Sequence, residues 1–133
     1  MSNLILCVDD EIDIRDVLMR IVSGMGYNIE CAEGESEAIE MFTALKPFLV
    51  LMDLRLKNNE NGTLIANKLH AVDPMCIFVA VSGYLGDLTS VGYLLGSVFT
   101  DMTSKPFDKK ELRRIIDYGW EKRQRWNEIV GEL

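Results

Sequence analysis

One stretch constrains this chain more than any other: Phe48-Leu49-Val50-Leu51-Met52-Asp53. Five consecutive apolar residues follow Pro47 and precede a polar segment from Arg55 to Asn61. They read as a short strand buried on both faces, as strands in parallel sheets are. The run stops on a carboxylate. A buried strand ends on an acid when that acid stands at the mouth of the sheet, within reach of water, metal or substrate. Open parallel α/β sheets place their chemistry at the carboxyl ends of their strands.

The rest of the chain repeats this alternation. Leu4 to Val8 is a first apolar strand and runs into Asp9-Asp10-Glu11. Ile14, Val17, Leu18, Ile21, Val22 and Met25 then recur at steps of three and four, one face of a helix ended by Gly24 and Gly26. Asn28 to Ala32 is a short, half-polar strand, expected at a sheet edge. A second helix from Ser36 turns Ala38, Ile39, Phe42 and Leu45 inward, and Pro47 punctuates it. Beyond the turn-rich loop Lys57 to Gly62, a third helix over Thr63 to Val72 carries Leu64, Ile65, Leu69 and Val72 as its apolar set. Met75 to Val81 is a fourth strand ending at Ser82-Gly83. A fourth helix, roughly Leu88 to Leu95, contains Thr89, Ser90 and Gly92, poor helix formers that predict the least stable helix. A fifth strand within Ser97 to Thr103 is closed by Lys105-Pro106. The final helix begins near Lys109 and extends to Ile129, with Leu112, Ile115, Ile116 and Trp120 on the core side. In it Gly119 is expected to cost about 1 kcal/mol relative to Ala, and Trp126 to face a partner or a second copy of the chain. Five strands alternating with five helices imply one α/β domain, a parallel sheet with helices on both faces.

Composition narrows the function classes. The 133 residues suffice for one core, and 48% apolar with 26% charged is ordinary for a soluble globular domain. No apolar run approaches the ~20 residues needed to span a bilayer. Met1-Ser2-Asn3 is no secretory start, so the expected location is cytoplasmic. The net charge of -7 is unevenly spread: residues 105–133 carry eight Lys/Arg and six Asp/Glu, residues 1–104 six and fifteen. An acidic body argues against direct nucleic-acid binding. Cys7, Cys31 and Cys76 each lie in or beside an apolar strand-like run at spacings suited to neither zinc nor a disulfide framework, so buried free thiols are expected. With His70 the only histidine and no Gly-x-Ser-x-Gly elbow, a His-rich metal site is excluded and a Ser-His-Asp triad poorly supported.

The chemistry concentrates at strand ends. Asp9 and Asp10 follow the first strand, Asp53 ends the third, Ser82 follows the fourth and Lys105 the fifth. An Asp-Asp pair is often a helix cap and Ser-Gly often a turn. All of these at the shared edge of one parallel sheet form a stronger pattern than any alone. Packed carboxylates repel, and a hard divalent cation removes the conflict; oxygen-only ligands suit Mg²⁺. Such a cation beside a carboxylate prepares that carboxylate to attack phosphorus, with Lys105 and the Ser82 hydroxyl placed to hold further phosphoryl oxygens.

With Val8-Asp9-Asp10-Glu11, Met52-Asp53, Val81-Ser82-Gly83, Ser104-Lys105-Pro106-Phe107 and Gly96-Ser97, the chain resembles a response-regulator receiver domain of two-component signalling, of the chemotaxis-receiver kind, over about residues 3 to 120. The resemblance implies a flavodoxin-like doubly wound sheet of order 2-1-3-4-5. It implies Asp53 as phosphoacceptor, with Asp10 binding Mg²⁺ directly, Asp9 acting largely through water, and the Arg55 backbone carbonyl as a further ligand. Ser82 would swing toward the phosphoryl group, Lys105 would pair with it, and Lys105-Pro106 would be cis. The donor would be a phosphohistidine on a sensor histidine kinase or phosphotransfer protein, and the chain would catalyse only its own phosphorylation and dephosphorylation.

Departures from the family pattern are specific. The proline four residues after the acceptor and the glycine eight after are Lys57 and Asn61 here, and Gly62 comes one residue late. The switch aromatic three residues before the lysine is Met102, a thioether that repacks differently. Arg55 and Tyr84, each two residues beyond a site residue, are large and predict partial shielding of a phosphoryl group and slow self-dephosphorylation. Output is expected through the face of the fourth helix, fifth strand and final helix, toward an effector protein or effector domain, a homodimer being a further partner. Residues 120–133 are then either a helical extension or a linker cut before an effector. Two alternatives stand beside this reading. One is a receiver-like interaction module not controlled by phosphorylation. The other is a Mg²⁺ phosphatase, disfavoured because its usual second Asp is Arg55 here.

Overall fold

The structure, a computed structural model, describes residues 2–83 and 97–131. Five strands, β1 Leu4–Val8, β2 Asn28–Ala32, β3 Leu49–Asp53, β4 Ile77–Ser82 and β5 Phe99–Ser104, form one parallel sheet of order β2-β1-β3-β4-β5. The described helices are α1 Ile12–Gly24, α2 Glu35–Leu45, α3 Gly62–Val72 and α4 Lys109–Gly131. The helix expected over 88–95 and the site candidate Tyr84 lie outside the described residues.

The sheet is apolar on both faces because alternate side chains of the central strands feed two cores. Leu6, Val8, Val50, Met52, Phe78 and Ala80 join Phe42, Ile65 and Leu69 of α2 and α3. Ile5, Cys7, Leu49, Leu51, Ile77 and Val79 join Leu18, Val22, Leu112, Ile115 and Ile116 of α1 and α4. The half-polar β2 is an edge strand, as its composition predicts.

Several facing assignments differ from the periodicity. Leu64 and Val72 of α3 are 60% and 61% exposed, and Ile39 and Leu45 of α2 are also exposed. The buried stripe is narrower, Ala38 and Phe42 in α2 and Ile65, Ala66 and Leu69 in α3. A helix lying on a flat sheet covers one ridge, so flanking apolar positions stay in water. Cys31 is half-buried rather than buried because β2 has a neighbour on one side alone. Trp126 does not face away: it packs against the α1/α4 core, half-buried, with the Lys122 ammonium 4.9 Å over its ring.

Gly119 also has a role that helix propensity misses. It is buried where α4 crosses the sheet, and a Cβ there would stand 2.8 Å from Leu49 Cδ1 and 3.3 Å from Ile77 Cγ2. Its small size sets the approach of α4 to β3 and β4, which outweighs the intrinsic cost of glycine. Beyond it, Arg123 reaches Asp73 at 3.0 Å and Asn127 at 3.1 Å, tying the last turns of α4 to the turn before β4.

Candidate phosphoryl and metal site

Parallel strands with their carboxyl ends at one edge bring Asp9, Asp53, Ser82 and Lys105 together. Asp9 follows β1, and its N–H donates to the Ala32 carbonyl at 3.0 Å, extending the ladder by one residue. Asp53 and Ser82 end β3 and β4, and the Lys105 N–H donates to the Ser82 carbonyl at 2.9 Å. Asp9, Asp53 and Ser82 are 1%, 4% and 1% exposed.

Carboxylate oxygens of Asp9, Asp10 and Asp53 all lie within 4.8 Å of one another. The Lys105 ammonium stands 2.9 Å from Asp9 Oδ2 and 3.5 Å from Asp53 Oδ2. Asp9 Oδ2 is buried, and among the described residues the Lys105 ammonium is its partner. Asp9 Oδ1 accepts from the Glu11 N–H at 2.9 Å, and Asp53 Oδ1 from the Arg55 N–H at 3.1 Å. The acid pair does not cap the helix: the N-cap of α1 is Glu11, without a side-chain cap bond, and the Asp9 contact with Glu11 is a local turn before it.

Three carboxylates against one ammonium leave two negative charges in excess. Burial first, then the charge of Asp9, raises the Asp53 pKa from 3.8 to about 6, against the opposing Arg55 hydrogen bond and Lys105. Burial pulls the Lys105 pKa down, but its contact with Asp9 and the charges of Asp53 and Asp9 prevail and hold it raised. The donor set fits a hard divalent cation: oxygen ligands from three clustered carboxylates, and negative charge in excess of the one ammonium.

Sequence reasoning missed how the loop after β3 supports this cluster. The Lys57 N–H donates to Asp10 Oδ2 at 2.7 Å, and Glu60 Oε1 accepts from the Glu35 N–H at the start of α2, at 2.9 Å. Asn58 and Asn59 take left-handed conformations at φ 61° and 60°. Two consecutive asparagines are the sequence signal for such a turn. Gly62 closes the loop: its N–H donates to the Leu54 carbonyl at 3.2 Å, and a Cβ there would overlap the Asp53 carbonyl oxygen. Glycine is thus required one residue later than the family pattern places it. Arg15 also contributes, donating to the Asp9 carbonyl at 2.9 Å.

Of the remaining candidates, Arg55 is exposed and its segment bridges to Asn61. Met102 lies on β5 opposite Ala80, half-buried against the α2/α3 core. The Lys105–Pro106 bond is cis.

Comparison with known proteins agrees with the geometry. Residues 5–117 match the response regulator receiver domain. The chain is 30% identical over 114 residues to the regulatory protein AtoC of Escherichia coli, covering 86% of this chain and 24% of that protein. It is 27% identical over 116 residues to sporulation initiation phosphotransferase F of Bacillus subtilis, covering 87% and 92%. Among solved structures, NtrX from Brucella abortus superposes with a TM-score of 0.86 at 26% identity, covering 100% of this chain and 30% of that one. A CheY-like receiver from Methanospirillum hungatei gives 0.83 at 25%, covering 94% and 98%. The chain thus spans under half the length of several curated relatives. Fold, site and matches converge on one statement: this chain belongs to the response-regulator receiver domain family of two-component signalling.

Proposed function

We propose that Asp53 is the phosphoacceptor of a two-component phosphorelay. The observation that carries this reading is the meeting of three carboxylates within 4.8 Å, with the Lys105 ammonium 3.5 Å from Asp53 Oδ2. An Asp53 carboxylate oxygen attacks the phosphorus of a phosphohistidine on a sensor kinase or phosphotransfer protein. The new O–P bond forms as the P–N bond breaks, and the imidazole leaves. Asp10, Asp53 and the Arg55 carbonyl would hold Mg²⁺, with Asp9 acting largely through water. The cation supplies neutralisation of charge on the phosphoryl oxygens. Lys105 pairs with one phosphoryl oxygen, and the Ser82 hydroxyl donates to another. The signal passes from Ser82 to the β5/α4 face, where Met102 replaces the usual aromatic, and from there to an effector protein or an effector domain on the same chain. The protein works in the cytoplasm and turns over no substrate besides its own acyl phosphate.

Incubating the full chain with Mg²⁺ and acetyl phosphate and weighing it intact tests this. We expect the mass of one phosphoryl group to appear, to depend on Mg²⁺, and to be absent from Asp53→Asn. A chain that gains no mass, or gains it equally in Asp53→Asn, would overturn the reading.

A further inference from the structure

Cys7 and Cys31 are register partners on neighbouring parallel strands, on the α1/α4 side of the sheet. Adjacent strands lie about 4.8 Å apart, inside the roughly 4.4–6.8 Å Cα separation that disulfides span. The two thiols differ in access: Cys7 is 1% exposed, whereas Cys31 on the edge strand is half-buried. Arg15 stands on the same side, anchored to the Asp9 carbonyl at 2.9 Å and Glu33 at 3.5 Å. The Cys7 thiol first, and then the Arg15 charge, draw the Cys31 pKa down against the effect of burial. An accessible thiol beside a cation and a second thiol is the environment of a reactive cysteine. Cys76 provides an internal contrast: it is buried in the opposite core, and desolvation pushes its thiol up.

We propose that Cys31 is a peroxide-reactive thiol and Cys7 its resolving partner, the two closing a reversible disulfide across the β1–β2 ladder. The Cys31 thiolate attacks one oxygen of hydrogen peroxide. Its sulfur is oxidised to sulfenic acid as the O–O bond breaks, and the other oxygen leaves as water after taking a proton. The Cys7 sulfur then attacks the Cys31 sulfur. The S–S bond forms, the S–O bond breaks, and the departing hydroxide leaves as water with the Cys7 proton. A dithiol reverses the bond by thiol–disulfide exchange at the accessible Cys31 sulfur. It falls two residues before Asp9, at the root of the acidic cluster.

The full chain treated with stoichiometric hydrogen peroxide should lose two hydrogens. A non-reducing peptide map should join the segments holding Cys7 and Cys31, and dithiothreitol should restore the original mass. Cys7→Ser should leave Cys31 as a sulfenic acid captured by dimedone, and Cys31→Ser should abolish both products with its melting transition retained. In the untreated protein, Cys31 should alkylate at least about ten times faster than Cys76. The proposal is overturned if Cys31 gains oxygen without a cross-link, if Cys76 reacts first, or if neither Cys7 nor Cys31 changes. Should Cys31→Ser fail to fold, the dimedone adduct in Cys7→Ser and the alkylation rates still decide.

Discussion

The two edges of the sheet are built on opposite terms. At the amino edge, polar groups pair with opposite partners and rings pack on rings. Tyr27 donates to Asp117 at 2.6 Å, Trp120 meets Phe48 edge-on at 4.9 Å between centroids, and Arg123 pairs with Asp73. At the carboxyl edge three acids crowd one lysine, and Asp53 is held far from its ordinary acidity. One edge lowers the energy of the fold, and the other stores unfavourable charge that a cation and a phosphoryl group can relieve. Stability and chemistry are thereby separated by the length of one strand, about 17 Å.

Breaking the carboxyl edge should give the largest functional effect. Asp53→Asn should remove all phosphoryl gain by intact mass while leaving the metal-free fold at least as stable, because a repelled buried charge is gone. Gly62→Ala should come next. A Cβ there meets the Asp53 backbone itself, so the loop must move. We expect a loss of about 3 kcal/mol in urea unfolding and a weaker Mg²⁺ affinity by calorimetry. At the amino edge Gly119→Leu should cost a similar ~3 kcal/mol by overpacking against Leu49 and Ile77, yet leave Mg²⁺ affinity within about twofold. A variant that lost stability and metal affinity together at Gly119 would break the separation of the two edges.

The pH dependence sharpens the same contrast. Below pH 3.8 the Asp53 carboxyl is protonated in both folded and unfolded chains and has no effect on stability. Between 3.8 and about 6 the unfolded chain ionises while the folded chain holds its proton, so stability falls as pH rises. Above that range the deficit is constant, at most about 3 kcal/mol. Denaturant titrations of the metal-free protein should show this decline in the wild type, superimposed on the other titrations, and lack it in Asp53→Asn. The smallest effect is expected from Arg123→Met, about 1 kcal/mol, since the pair is only partly buried. Hydrogen exchange should then rise over the last turns of α4 and stay unchanged at β3.

Much of this was legible in the chain itself. Continuous apolar runs ended by Asp9, Asp53 and Ser82, with Lys105 after a more polar fifth strand, specified a parallel sheet and the edge where these groups gather, because the period of a buried strand and the chirality of its crossovers leave few other arrangements. What periodicity could not resolve was the width of a helix's buried stripe. That width depends on the surface beneath the helix, so Leu64, Val72, Ile39 and Leu45 stay in water despite their spacing.

Tertiary structure alone decided the close approaches. Gly62 and Gly119 look alike in sequence, a loop glycine and a helix glycine, yet each is needed for what lies within one carbon's reach of it, a backbone carbonyl for the first and two core side chains for the second. The alignment of Cys7 with Cys31 and of the Lys57 N–H with Asp10 belongs to the same class. Local composition records which residues favour strand, helix or turn, because those preferences act over a few bonds. Contacts between residues 24 or 47 positions apart depend on how the finished elements stack, and that is settled by packing.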